Sequence, residues 1–334
     1  MEVKDISKLL YNNIGKLKNP KTYKNVLFKG NNLLRFDILN RILIELQLEN
    51  SFDVRTYNEW VMEGRQVHDN KNSKHKVKPI YILMPRYEHE YIDIETGEKI
   101  DTEELNTKEF NKAIEYNLIK RDTTISNIYT IPMYDIRQTE KHDTHKEEYV
   151  VNKPILSSSN IINIVSDIME CQVEVSNLKD LYLNNSTNTL FITKLPYKKL
   201  IASLSKILSK FYINNKLIII TDRACEINYL DLTDFDINLI DLSIQYSINT
   251  LLSGDYTYSS KKLDEILSNN ELSNSKVVDI LNIVDIVLFD ITKRLSFNKE
   301  FSTDAINNIH KIRKANMLLS EMEANEVSSV LNEK

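Results

Sequence analysis

Glycine is scarce in this chain: 334 residues contain five, at positions 15, 30, 64, 97 and 254. Dinucleotide-binding turns and phosphate loops need closely spaced glycines, because only glycine lets the backbone approach a phosphate so closely. No two of these five are near enough to build either motif, and no Gly-x-Ser-x-Gly elbow occurs. The sequence therefore argues against nucleotide-dependent oxidoreductases, P-loop enzymes and α/β-hydrolases.

The start of the chain and its cysteines favour a cytoplasmic protein. The first ten residues have no apolar core of the kind found in signal peptides. No apolar run approaches the roughly 20 residues of a membrane helix. Two cysteines, Cys171 and Cys225, fit a reducing compartment better than a disulfide framework. We expect no membrane partner, and the sequence sets no oligomeric state.

Charge is distributed unevenly along the chain, whose net charge is -5. Residues 1–86 hold 16 Lys/Arg against 9 Asp/Glu, whereas residues 87–150 hold 8 against 16 and residues 151–334 hold 19 against 23. A basic first segment in an acidic protein favours a local anionic partner, although a solvated basic face gives the same pattern.

The length predicts two domains in an α+β protein. The best boundary is marked by Pro154 and the three serines at 157–159. We therefore expect a small sheet-and-helix domain over residues 1–150. A mostly helical domain follows over residues 151–320, and a flexible polar tail over residues 321–334.

Hydrophobic periodicity predicts the elements. Helices are expected at 6–17, 31–48, 56–63, 103–118, 160–169, 197–212, 234–252, 259–267, 273–295 and 303–319. Strands are expected at 79–84, 125–136, 173–175 and 189–193, with a further β-rich run at 217–221. Asn31 or Asn32 is the expected N-cap of the second helix. Thr56 with Glu59 predicts a capping box, and Gly64 the end of that helix.

Aromatic rings and cations alternate between residues 55 and 87. Single-stranded DNA is held by such sets, because rings stack on bases while cations contact phosphates. We expect Tyr57 and Trp60 to stack on bases, with Tyr81 beside them. The cations expected at phosphates are Arg55, Arg65, Lys74, Lys76 and Lys78. The alternative is structural, since a lone tryptophan on a helix is often a core anchor.

Four segments, taken in order, resemble the N-terminal domain of ArdC-type antirestriction proteins. They are Asn31-Asn-Leu-Leu, Thr56-Tyr-Asn-Glu-Trp60 with Gly64-Arg-Gln-Val67, Lys78-Pro-Ile-Tyr-Ile-Leu-Met-Pro85 and Pro132-Met-Tyr-Asp-Ile-Arg-Gln-Thr139. The last is similar to the family's x-V-F-D-x-x-Q-T strand end. The resemblance implies a single-stranded-DNA-binding protein of a plasmid, other conjugative element or phage, which protects or processes incoming DNA.

The second half resembles the family's zincin-like metallopeptidase domain, but without the zinc motif. In a His-Glu-x-x-His helix, two histidines hold zinc and the glutamate activates water. The aligned positions are Ser205 and Ser209 for the histidines, Lys206 for the glutamate and Leu242, beside Asp241, for the third ligand. Serine is a poor zinc ligand beside imidazole and lysine repels the cation. We expect no metal, no cofactor and no peptidase activity.

Two other functions stay open. An active metallohydrolase would need unrecognised ligands, since His142-x-x-His145 lies in a charged loop and only His310 follows it. A protein-interaction module that inhibits a host defence enzyme would suit the acidic remainder of the chain, with the C-terminal domain as one surface for a protein partner. Helix 197–212 itself is also explained by an ordinary buried stripe of Leu204, Ile207, Leu208 and Phe211.

Overall fold

The computed structural model describes residues 1–27, 33, 35–68, 77–100, 118–141, 157–224, 232–253, 260–268 and 272–296. Its α-helices are α1 (Val3–Asn13), α2 (Pro20–Leu27), α3 (Ile38–Gln47), α4 (Tyr57–Met62), α5 (Ser158–Met169), α6 (Tyr197–Ala224), α7 (Asp234–Ser253), α8 (Lys261–Leu267) and α9 (Asn274–Ser296). Its strands are β1 (Val54–Arg55), β2 (Arg65–Val67), β3 (Ile80–Asp93), β4 (Lys99–Ile100), β5 (Ile119–Asp135), β6 (Thr139–Lys141), β7 (Gln172–Val175), β8 (Tyr182–Asn184) and β9 (Thr189–Ile192). Short 3₁₀ turns follow α1 and β5.

The strands form three small sheets. The first has the order β1-β5-β3-β4 and is built on the long antiparallel pair β3 and β5, which runs from Ile80 opposite Met133 to Asp93 opposite Ile119. The second pairs β2 with β6. The third has the order β7-β9-β8, with β7 parallel and β8 antiparallel to β9. The predicted α+β class is confirmed, and no helix among the described residues could span a membrane.

Helix α3 closes the edge of β3 with two side-chain amides. Gln47 donates to the carbonyl of Tyr81 and accepts from its N–H, at 2.7 and 2.9 Å. Asn40 does the same at Leu83, at 2.9 and 2.8 Å. An unpaired strand edge invites association with other chains, so these amides stand in for a neighbouring strand. Tyr81, expected at the DNA surface, is therefore held against the helices, partly buried on the larger core.

Two hydrophobic clusters hold the described residues together. The smaller lies on one face of the first sheet and contains Ile80, Ile82 and Met133. The larger joins α1, α2 and α3 to α5, α6, α7, α8 and α9. Helices on both sides of residue 150 thus share one core, and Arg41 of α3 is paired with Asp285 of α9. The predicted domain boundary at residue 150 therefore stays a prediction, and the shared core does not divide there.

The predictions of helix ends agree best with the structure near α4. The Thr56–Glu59 capping box is present and Gly64 has a φ of +67°. The expected cap at Asn31 or Asn32 was wrong, because α3 starts later and is capped by Asp37. The β-rich run at 217–221 was also wrong: it continues α6, with Leu217 and Ile220 buried and Ile218 and Ile219 exposed. The expected helix at 103–118, except for its last residue, the expected helix at 303–319 and the tail lie outside the described residues.

Candidate nucleic-acid interface

Trp60 is fully buried, with 0% of its surface exposed. Its indole N–H donates to the carbonyl of Tyr134 on β5, at 2.8 Å. A ring enclosed in this way has no face for a base, so the expected stacking role of Trp60 is wrong in this conformation. The structural alternative describes it better: Trp60 anchors α4 on the first sheet.

Arg55 lies on Trp60 and is neutralised locally. Its guanidinium carbon is 5.0 Å from the ring centroid. Its nitrogens donate to the buried carboxylate of Asp53 at 3.0 Å and to Glu63 at 2.5 Å. Two carboxylates offset one charge, so Arg55 braces the corner between β1 and α4. The structure does not support its expected role as a phosphate contact.

Arg65 lies on the same ring but has different partners. Its guanidinium carbon is 5.8 Å from the Trp60 centroid. Its Nε donates to the hydroxyl of Thr139 at 2.8 Å, and one terminal nitrogen donates to the Thr139 carbonyl at 3.3 Å. Among the described residues no carboxylate pairs with it, and the side chain is partly exposed. The charge of Arg65 is therefore not offset by a described carboxylate, and its guanidinium has a fixed orientation, as an anion contact requires.

The segment from Asp135 to Thr139 ties this corner together. Asp135 is completely buried, and its carboxylate accepts from the backbone N–H groups of Phe52 and Arg137, at 2.8 and 3.0 Å. Gln138 accepts from the N–H of Asp135 and donates to the carbonyl of Lys78, at 2.8 and 2.9 Å. The motif residues thus serve as scaffold: they fix the backbone that carries Arg65 and Lys78.

The outer face of α4 is exposed and largely apolar. Tyr57 is 46% exposed, Val61 52% and Met62 79%. Helical spacing of four residues places Tyr57 and Val61 on one face. Of the predicted stacking rings, Tyr57 alone is well exposed, since Tyr81 is partly buried and Trp60 wholly so.

Glu59 fixes the start of α4. Its carboxylate accepts from Arg35 at 2.7 Å and from the N–H of Thr56 at 2.7 Å. Burial alone would raise the pKa of Glu59, but the Arg35 and Thr56 hydrogen bonds and the Arg35 charge outweigh it, and the pKa lies below its usual value. Ionised Glu59 therefore holds the first turn of α4, and with it Tyr57.

Of the remaining predicted cations, one lies among the described residues. This is Lys78, which is exposed just before the start of β3. Lys74 and Lys76 lie outside the described residues.

Arg137 was missed by the sequence interpretation, although it stands inside the Asp135–Thr139 motif. Its side chain is 48% exposed and donates to Asp135 at 2.5 Å. The sequence did not show that Arg137 pairs with Asp135, because the burial of Asp135 depends on the fold.

The two serines aligned with the zinc-binding histidines donate hydrogen bonds within the protein. Ser205 and Ser209 are 1% and 0% exposed. Ser205 donates to the carbonyl of Ile201 at 2.8 Å, one turn earlier on α6. Ser209 donates to the carboxylate of Asp241 on α7 at 2.6 Å. Lys206 points to solvent, and Leu242 packs partly against the larger core.

No group of three or more His, Cys, Asp or Glu side chains suited to a metal occurs among the described residues. An open cleft of about 370 Å³ does lie beside this region, between α6 and α7. Its polar lining is Lys210, Asn214, Asp234, Asn238 and Asp241. One ammonium and two carboxylates can hold a polar solute, but this lining offers no nucleophile paired with a base.

Comparison with known proteins gives a resemblance at the level of structure only. No protein-family model matches the chain, and no curated protein matches it. Among solved structures, the Mn(II)-bound antirestriction protein ArdC from plasmid R388 aligns with a TM-score of 0.38 and 10% identity, over 86% of this chain and 97% of that one. Its metal-free structure aligns with a TM-score of 0.31 and 9% identity, over 83% and 84%. Both are structures of the family whose N-terminal motifs this sequence resembles.

Proposed function

We propose that this protein binds single-stranded DNA through the corner formed by α4, β2 and the start of β3. The observation that carries the proposal is the exposed ring of Tyr57 on a helix that begins with the Thr56–Glu59 capping box and is anchored at Trp60. Arg65, whose side chain is held by Thr139, and the exposed Lys78, whose backbone carbonyl accepts from Gln138, belong to the same corner. One exposed ring, one oriented cation and one exposed cation form a minimal arrangement for a stacked base and its flanking phosphates.

Of the two residues predicted to stack, the proposal keeps Tyr57 and gives Trp60 a structural role. Trp60 contributes indirectly, because its buried ring supports Arg65 and sets the height of α4 on the sheet. The basic balance of residues 1–86 supports the same corner, since phosphate neutralisation supplies most of the affinity of nonspecific binding.

The biological role proposed with it is antirestriction-like: protection or processing of incoming DNA of a mobile element or phage. The ordered motif resemblance in the first half supports it. We propose further that the chain has no peptidase activity. What supports this is that the hydroxyls of Ser205 and Ser209 donate internally, and that Lys206 lies in solvent. Metal analysis of purified protein tests this, and about one tightly bound zinc per chain would overturn it.

Tyr57→Ala tests the stacking role. Loss of one stacked base should weaken binding by about 1–3 kcal/mol, or roughly 5- to 150-fold. The measurement is fluorescence anisotropy of a labelled oligonucleotide, titrated at several salt concentrations. Tyr11→Ala is the matched control, because Tyr11 is 57% exposed on α1, away from this corner. Equal affinities for the two variants would refute the proposal. Trp60 emission should change little on binding, since the ring is enclosed.

A second candidate is inhibition of a host enzyme by protein contact. The tip of the β3–β4 turn favours it, because Ile94 is 56% exposed between exposed acidic residues, among them Glu95 and Glu98. Protection of incoming DNA in cells by a protein that binds no oligonucleotide would support this function. Loss of that protection in Ile94→Asp, with retention in Tyr57→Ala, would separate it from DNA binding.

A further inference from the structure

The third sheet carries a pair of aromatic rings on its outer face. Tyr182 and Phe191 are cross-strand neighbours whose ring centroids lie 6.4 Å apart with 20° between the planes. Tyr182 is 54% exposed. Side chains alternate along strands, so the adjacent Leu183 and Leu190 face the larger core while these rings face away from it. Neither ring belongs to a hydrophobic cluster of the described residues.

The stretch of chain that builds this sheet and enters α6 is rich in lysine, and we call its lysines the lysine band. Residues 172–210, all of them described, contain six lysines and two acidic residues, in a half of the chain whose net charge is negative. All six lysines are exposed, and no described carboxylate pairs with any of them. They are Lys179, Lys194, Lys198, Lys199, Lys206 and Lys210. A local excess of lysine creates a potential that attracts anions.

The topology brings four of these lysines to one end of the sheet. Lys179 shortly precedes β8 and Lys194 shortly follows β9, and because the two strands are antiparallel both lie at the same end. The chain then enters α6, whose first turn holds Lys198 and Lys199 and no acidic residue. Cations are unfavourable at a helix N-terminus, so these two lysines weaken α6 rather than stabilise it. An anion bound there would relieve that repulsion.

We propose that this face is a second binding surface for single-stranded nucleic acid, separate from the α4 corner. The rings supply stacking faces for unpaired bases, and the lysines supply phosphate contacts. A duplex would leave the rings unused, because its bases are already stacked. Glu174 shares the face with Phe191 and is the one carboxylate on it among the described strands. It opposes phosphate binding, so Glu174→Gln strengthens binding of an oligonucleotide.

Salt dependence tests the lysine band in the full-length protein. Lys198→Gln with Lys199→Gln removes two phosphate contacts, so the slope of log affinity against log salt for oligo-dT becomes less steep by about 1.4. Lys261→Gln with Lys262→Gln is the matched control, because these exposed lysines occupy the first turn of α8, away from the sheet. An unchanged slope in the first variant, or equal changes in both, would overturn the proposal.

Photo-crosslinking separates this surface from the α4 corner. A bromodeoxyuridine-substituted oligonucleotide should crosslink to peptides that contain Tyr182 or Phe191. Tyr182→Ala should lose that crosslink and Tyr182→Phe should keep it, with circular dichroism showing that both variants fold. Crosslinks only at α4 would reject this inference and leave the proposed function standing, and crosslinks only at the sheet would do the reverse. Equal competition by a hairpin duplex would exclude single-strand preference.

Discussion

The α4 corner and the two serines at the zinc-motif positions of α6 differ in how far along the chain their side chains bond. At the corner, Trp60 bonds to Tyr134, Arg65 to Thr139 and Gln138 to Lys78, so each bond joins segments 60 to 74 residues apart. On α6, Ser205 bonds one turn back along its own helix. Of these two serines, Ser209 crosses to α7, where it donates to Asp241.

This difference indicates how much each region depends on the residues that resemble the ArdC motifs or align with the zinc motif. Corner residues depend on one another, so removal of one loosens several strands at once. Ser205 is satisfied within α6, and Ser209 makes one contact with the next helix. The corner is therefore where substitutions should be severe, and these two serines are where they should be mild.

Trp60→Ala should have the largest effect. Truncation of a buried large aromatic residue costs about 3–5 kcal/mol of unfolding free energy. The carbonyl of Tyr134 also loses the indole N–H, and the guanidiniums of Arg55 and Arg65 lose the ring beneath them. Urea unfolding measures the change, with Tyr57→Ala as control, since an exposed side chain should alter stability by no more than about 0.5 kcal/mol. A Trp60→Ala protein as stable as the parent would break the comparison, because the corner would then not depend on its buried ring.

The elements near α4 could be predicted because their signals are local. Thr56, Glu59 and Gly64 lie within nine residues and specify a cap and a helix end on their own. The burial of Trp60 could not be predicted, because it depends on a strand 74 residues away. The run at 217–220 failed for another reason: four consecutive apolar residues fit a strand or a buried helix equally, and only packing against the core selects between them.

The α6 serines should respond weakly and differently. Ser209→Ala should cost about 1 kcal/mol, because the carboxylate of Asp241 loses a donor. Ser205→Ala should lie within about 0.5 kcal/mol of the parent, since its bond to the carbonyl one turn earlier adds little and alanine favours a helix. Both are measured by urea unfolding. A loss above about 2 kcal/mol for Ser205→Ala would mean that its hydroxyl holds something beyond its own helix, as a retained site would require.

The smallest expected effect is on acid sensitivity. In both regions a helix begins with a threonine and an acidic residue that bond to each other's backbone N–H groups. Thr56 with Glu59 starts α4, and Thr233 with Asp236 starts α7. Burial opposes ionisation of Asp236, but Lys276 and Thr233 outweigh it, so the pKa of Asp236, like that of Glu59, is lowered. A lowered pKa stabilises the fold above the unfolded-state value, near pH 4, and that contribution disappears as pH falls through the folded-state pKa.

Glu59→Gln and Asp236→Asn should each flatten the dependence of unfolding free energy on pH below about pH 5. The effect should be larger for Asp236, whose side chain is 2% exposed against 33% for Glu59. Urea unfolding at a series of acidic pH values measures it, with Glu98→Gln on the exposed β3–β4 turn as control. If Glu59→Gln also makes oligonucleotide binding insensitive to acid, the cap controls the α4 surface. Equal acid sensitivity of binding in Glu59→Gln and the parent would show that the cap stabilises the helix without setting the position of Tyr57.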